Sequence, residues 1–281
     1  VLHERFDPAH VLADTLRYQI TDLTLLPPLL YRILDDPTAA TTDTSSLRQV
    51  GYGGCAASPT RIAQALERFG PILFQVYAQN ECGVISALTR TDHLRSELLN
   101  TVGRPAPGIE VTIRDSVGKE VEPGCPGEIC VRSAMANAGY WRNLELTAQV
   151  WRDGRIHTGD MGYLDAEGYL HVNDRLKDMI IVVGGHVYPT ELEEVLLTHP
   201  AITQAAVYGV RDVDAIERMH AALVLRSGHK LDLPEVQKHV EATLGKMYSP
   251  YRIELLDQIP LTDAGKPDKK LLRARMTARI L

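Results

Sequence analysis

The stretch IPLTDAGKPDKK, residues 259–270, holds Lys266 between Gly265 and Pro267. Glycine and proline shape a loop, and a lysine there is either a solvated charge, the usual fate of this residue type, or a cation delivered to a reaction. Other reactive types recur in short glycine-rich settings. QVYAQNE (75–81) ends in Glu81, HTGD (157–160) ends in Asp160, and Arg175 follows in GYLHVNDRLKDMI (168–180). A carboxylate such as Glu81 can hold a hard cation through oxygen, and an arginine presents a forked donor to oxyanions. The glycines of GYGG (51–54) allow close approach of backbone to a flat ligand, although a turn that ends a strand uses glycine equally well. Cys55, Cys82, Cys125 and Cys130 have spacings that fit neither a zinc site nor a disulfide framework, and the ten histidines are scattered. A metal held by Cys or His is therefore not expected, and a reducing, cytoplasmic setting is the default.

These residues need elements to position them. Asp7-Pro8 reads as a helix start, with Asp at the N-cap and Pro at the first helical position. ITDLTLLPPLLYRIL gives a short strand, a break at Pro27-Pro28 and a helix. LRQVGYGG is strand-like; Ser58-Pro59 then opens a helix with Ile62, Ala65, Leu66 and Phe69 on one face, and ILFQVY is a compact buried strand. Strand, helix and strand at this spacing make a βαβ unit and a parallel sheet, with QVYAQNE at the end of its strand. From Val102 to about Asp174, short β-rich pieces alternate with glycine turns, which reads as a small antiparallel sheet or barrel. After Arg175–Asp178 the pattern becomes a compact α+β unit, with helices from Pro189 to about His199, from Leu233 to about Lys246, and from near Asp268. The expected division is residues 1–174 (1–100 βαβ part, 101–174 β-rich part), a hinge at 175–178 and a domain at 179–281.

Composition sets outer bounds. The 281 residues suit two domains, and 44% hydrophobic with 23% charged residues is an ordinary globular balance. The net charge of -6 without a basic run does not suggest a nucleic-acid partner. No apolar run approaches the roughly 20 residues needed to span a bilayer. Oligomeric state is not legible. The chain begins Val1-Leu2-His3 without Met, so it reads like the middle of a longer protein.

In this order, GYGG, QVYAQNE, GEICVRSAMANAGYW (127–141), HTGD, GYLHVNDRLKDMI, GGHVYPTELE (184–193) and PLTDAGK (260–266) closely resemble the adenylate-forming superfamily of acyl- and aryl-CoA ligases, peptide-synthetase adenylation domains and luciferases. The resemblance covers almost the whole chain. It implies the end of a large N-terminal α/β domain with a small β-rich subdomain, followed by a mobile α+β domain. It also implies a two-step reaction: a carboxylic acid attacks the α-phosphate of ATP to give an acyl-adenylate and pyrophosphate, and a thiol, usually that of coenzyme A, then displaces AMP.

The resemblance assigns roles residue by residue. Gly53, Gly54, Cys55, Gln75, Val76, Tyr77, Ala78, Asp160, Val172 and Arg175 would surround the nucleotide, with Tyr77 stacked on adenine, Gln75 at a base edge, Asp160 on the ribose diol, Arg175 on ribose or phosphate, and Val172 near the base. Glu81 would hold Mg²⁺ and Asn80 would donate to a phosphate; here Ala78 and Asn80 stand where the family pattern Tyr-Gly-x-Thr-Glu has Gly and Thr. Lys177 would be the pivot, since a charged side chain stays solvated in either orientation. Gly184 and Gly185 would line the pantetheine tunnel. Aligned on Pro189, Val182, Val183 and His186 depart from the family's Ser, Gly and Asn. Lys266 would bridge carboxylate and polyphosphate, offsetting their repulsion as charge develops. Tyr52, Cys82 and Gly83 would border the acyl pocket, with a fatty or medium-sized acid expected over an aryl acid.

The family's Ser/Thr-Ser-Gly-Thr-Thr-Gly-x-Pro-Lys phosphate loop does not occur in the sequence. The expectation is a C-terminal portion of a longer acyl-CoA ligase, missing its N-terminal part and having little adenylation activity alone. The alternatives are an aryl-CoA ligase, a carrier-protein-loading adenylation domain, and a non-catalytic binding or structural fragment.

Overall fold

The computed structural model describes residues 1–281 apart from Leu2, Val183, Gly184, residues 212–215, Leu281 and the side chain of Ile280. Residues 1–57 with 62–176 form one compact unit, and residues 177–281 with 58–61 form another.

The first unit opens with α1 (Pro8–Tyr18), capped by the Asp7 carboxylate, which accepts from the His10 amide at 2.9 Å. β1 (Asp22–Leu25), α2 (Pro27–Asp35), β2 (Gln49–Gly53), α3 (Pro59–Phe69), β3 (Leu73–Gln79), β4 (Gly83–Leu88) and β5 (Arg104–Pro105) follow. The sheet order is β1-β2-β3-β4-β5. The first three strands are parallel, as expected of βαβ crossovers. The sheet is mixed, however, because β4 returns antiparallel to β3 and β5 is antiparallel to β4. Only Asn80–Cys82 separate β3 from β4, too few residues for a crossover, so the chain must double back. Leu12, Leu30, Ile33, Val50, Ile62, Ala65 and Leu73 form the core under the helices.

A second sheet of this unit contains β6 (Glu110–Arg114), β7 (Gly127–Arg132), β9 (Arg155–Leu164) and β10 (Leu170–Arg175), in the antiparallel order β10-β9-β7-β6. Between β7 and β9 lie α4 (Leu144–Val150) and the short β8 (Trp151–Arg152), which pairs with β9. Cys82 and Ile85 share a core with Ile113, Ile129, Val131, Ile156 and Leu170. The start of β4 is thereby packed against the second sheet.

The second unit has a two-stranded ribbon of β11 (Ile180–Val182) and β12 (Gly185–Val187), then α5 (Pro189–Leu197), β13 (Ile202–Arg211), β14 (Glu217–Leu225), α6 (Leu233–Leu244), β15 (Arg252–Leu255) and α7 (Lys269–Ile280). Its sheet runs β13-β14-β15. Alternation along a strand sends successive side chains to opposite faces. Val207, Ala221 and Leu223 pack with α5 and α6, whereas Ala206, Tyr208, Val210 and Ala222 pack with Leu272 and Met276 of α7. No helix among the described residues is long and apolar enough to cross a membrane.

Candidate active site

β3 carries Gln75, Tyr77 and Gln79 at alternate positions, hence on one face. The last two, Tyr77 and Gln79, meet Asp160 of β9. Asp160 Oδ2 accepts from the Tyr77 hydroxyl at 2.6 Å and from Gln79 Nε2 at 2.8 Å, and Arg175 Nε of β10 lies 3.3 Å from Oδ1. Asp160 is 4% exposed, so these donors offset the cost of burying its side chain. Burial, and then the neighbouring Asp160 charge, push the Tyr77 phenol far up, so it stays a donor. Gln79 also reaches the Thr158 carbonyl at 3.1 Å.

The HTGD segment is held from below. Gly159 has φ +70°, a left-handed conformation that suits glycine. The Thr158 hydroxyl donates to the Ile129 carbonyl at 2.7 Å and accepts from the Asp160 amide at 3.1 Å. Glu128 of β7 takes the Gly159 amide on Oε1 at 3.2 Å and His157 Nδ1 on Oε2 at 2.7 Å. Glu128, Cys130 and His157 bring potential ligand atoms within 4.8 Å of one another. Both Glu128 oxygens are already engaged, and burial pushes the Cys130 thiol up to about 11. The cluster is therefore wired as a support for the HTGD backbone.

Past the end of β3, Asn80 is exposed and Glu81 is half-buried. Glu81 Oε1 accepts from the Tyr140 hydroxyl at 2.6 Å, and Oε2 has no partner among the described residues. A hard cation needs such a carboxylate, aimed and with an oxygen to spare, so Glu81 fits Mg²⁺.

Other residues singled out in the sequence occupy less open places. Gln75 lies in mid-strand, 5% exposed, rather than beyond the strand end, because β3 continues to Gln79. Tyr52 is a core residue, 2% exposed, whose hydroxyl lies 2.9 Å from His93 Nε2. His93 Nδ1 lies 2.6 Å from the Thr89 carbonyl, and burial lowers the imidazole's proton affinity. The ring is thus neutral: Nδ1–H donates to Thr89 and Nε2 accepts from Tyr52. Cys82 is fully buried and burial pushes its thiol up to about 11. Tyr52 and Cys82 therefore present no open wall to an acyl group in this structure, and Gly83, against Met135, is the member of that set nearest the surface. Gly53 has a local reason to be glycine, since a Cβ there would lie 2.3 Å from the Val76 carbonyl oxygen. Gly54 adopts φ +86°; Ala78 is exposed, while Cys55 and Val76 are half-buried. Val172 packs beside the core of the second sheet.

In the second unit, Lys266 closes a tight hairpin. Leu261 bridges Pro267, the Thr262 amide donates to the Lys266 carbonyl at 2.8 Å, the Gly265 amide donates to the Thr262 carbonyl at 2.8 Å, and Gly265 has φ +75°. The lysine is presented by a built turn, not by a loose tail. Lys177 is exposed, while its neighbour Asp178 pairs with Arg273 at 2.8 Å. Gly185 packs against Met247, and Gly184 lies outside the described residues.

Gln79 lies within QVYAQNE and Glu128 and Tyr140 within GEICVRSAMANAGYW, but their partners are far away along the chain, so no local pattern marks these three as site residues.

Residues 1–141 match the family described as AMP-binding enzyme, and residues 191–266 match the AMP-binding enzyme C-terminal domain. The chain is 41% identical over 279 residues to the medium/long-chain-fatty-acid–CoA ligase FadD8 of Mycobacterium tuberculosis, covering 96% of this chain and 49% of that protein. It superposes with a TM-score of 0.90 and 45% identity on the amide bond synthetase McbA from Marinactinospora thermotolerans, covering 98% of this chain and 56% of that one. It superposes with a TM-score of 0.88 and 26% identity on the anthranilate CoA ligase AuaEII in complex with anthranoyl-AMP, covering 97% and 53%. The chain spans about half the length of the curated relatives it matches.

Proposed function

This chain belongs to the AMP-binding enzyme family, and on that premise we propose that it is part of an ATP-dependent, AMP-forming acid–CoA ligase acting on a fatty or medium-sized carboxylic acid. The observation that carries this reading is the buried Asp160 carboxylate gathered by Tyr77, Gln79 and Arg175. A ribose diol offers two hydroxyl donors to such a carboxylate, and the nearby Tyr77 ring offers a flat face for adenine. Glu81 would hold Mg²⁺, which when bound supplies positive charge to the phosphates. Asn80 would donate to a phosphate oxygen. Lys266, delivered by its hairpin, would counter the repulsion between carboxylate and polyphosphate. The second unit would turn about Lys177 between the two half-reactions and bring Gly184 and Gly185 to the thiol. A reducing, cytoplasmic compartment is the default for four cysteines whose spacing fits no disulfide framework.

A second reading keeps the acyl-adenylate and changes the acceptor from a thiol to an amine. Two observations favour it: the 45% identity to an amide bond synthetase, and Val182 and His186 in place of the family's Ser and Asn.

One experiment tests both. The full-length protein is given ATP and a panel of carboxylic acids, and acid-dependent pyrophosphate exchange is measured. CoA or a panel of amines is then added and the products are identified by mass spectrometry. Exchange followed by a thioester supports the ligase; exchange followed only by an amide supports the second reading. Absence of exchange with every acid overturns both.

A further inference from the structure

The segment 133–140 has no part in the reading above, yet it grips the loop that carries Glu81. Three consecutive carbonyls of that loop accept hydrogen bonds from it. Asn80 O takes Asn137 Nδ2 at 3.3 Å, Glu81 O takes the Asn137 amide at 3.0 Å, and Cys82 O takes the Ser133 hydroxyl at 2.9 Å. The fourth bond goes to the side chain: the Tyr140 hydroxyl donates to Glu81 Oε1 at 2.6 Å.

The gripping segment is itself stiffened. The Ser133 hydroxyl accepts from the Met135 amide at 3.0 Å, and Asn137 Oδ1 accepts from the Gly139 amide at 2.9 Å. The Tyr140 amide donates to the Thr147 hydroxyl at 3.0 Å. The Tyr140 ring stands edge-on to Trp151, with centroids 5.3 Å apart and planes at 87°. A phenol fixed at both ends and donating to a carboxylate makes a short, charge-assisted bond that also sets the carboxylate's torsion. With Oε1 occupied, only Oε2 remains to face a ligand.

We propose that Tyr140 is a positioning residue for Glu81, holding one carboxylate oxygen so that the other is aimed at the divalent cation that accompanies ATP. The inference rests on the reading of Glu81 as the Mg²⁺ ligand. Partners that orient a metal-binding carboxylate act on metal affinity through the ligand and need not touch the ion. Tyr140→Phe retains the ring against Trp151 and removes only the donor.

The test uses the full-length protein with ATP and Mn²⁺ as the probe, free Mn²⁺ being counted by electron paramagnetic resonance. Y140F is expected to weaken Mn²⁺ binding roughly 10–100-fold, the usual effect of losing such a partner, and to leave metal-free ATP binding unchanged. E81Q is the control for the underlying reading. If E81Q loses Mn²⁺ and Y140F binds it like the parent, the positioning role is overturned while Glu81 stands as the ligand. If E81Q itself binds Mn²⁺ like the parent, the Glu81 reading falls, and the proposal falls with it. Should Y140F not fold by circular dichroism, Thr147→Val, which removes the acceptor of the Tyr140 amide, is judged by the same criterion. A lowered melting temperature with unchanged Mn²⁺ affinity would make the bond merely structural and overturn the proposal.

Discussion

The Tyr77 hydroxyl lies 2.6 Å from Asp160 Oδ2, joining the five-stranded sheet to the neighbouring antiparallel sheet within one unit. Asp160 is almost fully buried, so each donor matters. Tyr77→Phe is expected to cost about 1.5–3 kcal/mol, the usual range for a hydrogen bond to a charged group. Urea denaturation of the variant against the parent measures it. Unchanged stability would mean that Gln79 and Arg175 suffice.

Gly53 tests whether a glycine of GYGG serves the sheet itself. An alanine Cβ there would lie 2.3 Å from the Val76 carbonyl oxygen and 3.3 Å from its carbon, so β2 and β3 would have to part. Gly53→Ala is expected to lose about 1–3 kcal/mol of stability, as overpacking does. Gly70→Ala, where a Cβ would meet nothing within 4 Å and only φ +77° opposes it, is expected to lose about 1 kcal/mol. Parallel thermal melts compare the two; equal losses would refute the steric argument.

His220 makes the second unit sensitive to acid. Its ring is fully buried in β14, neither nitrogen has a hydrogen-bond partner among the described residues, and it stacks on Tyr208 at 5.9 Å. Burial, and then the Arg252 charge, lower its pKa from 6.5 to about 4. The unfolded chain therefore takes up this proton at a higher pH than the folded one. Stability contributed by the neutral ring is full above about pH 6.5 and falls as pH drops toward 4, by about 3 kcal/mol in all. His220→Leu is expected to flatten that part of the stability–pH curve measured by chemical denaturation. A slope retained in the variant would assign it to other groups.

Lys266→Ala in the full-length protein separates the two half-reactions. Loss of one preorganised charge at the reacting phosphate is expected to slow acyl-adenylate formation about 10²–10³-fold. Thioester formation from supplied acyl-adenylate is expected to change far less. Pyrophosphate exchange and a single-turnover thioester assay give the two rates, and equal losses would argue against alternation of the second unit.

Much of this molecule was legible in the sequence because the signals were local. Asp7-Pro8 capped a helix and the Pro27-Pro28 pair marked the break between β1 and α2. Ile62, Ala65, Leu66 and Phe69 marked a buried face. The LTDAGK turn needed Gly265 at positive φ. The order of the motifs carried the family. What the sequence did not disclose depends on how separate strands meet. The Ala-Gln-Asn-Glu-Cys-Gly stretch does not say that β4 doubles back on β3, since a short connection and a crossover differ only in where the next strand starts. Nor does it say that Tyr52 and Cys82 are closed into cores. The hydrogen bonds that build the site join Tyr77 to Asp160 across 83 positions, Gln79 to Asp160 across 81, and Tyr140 to Glu81 across 59. Strand periodicity states which face a side chain takes. It cannot state which distant carboxylate lies opposite, because the packing of the two sheets decides that.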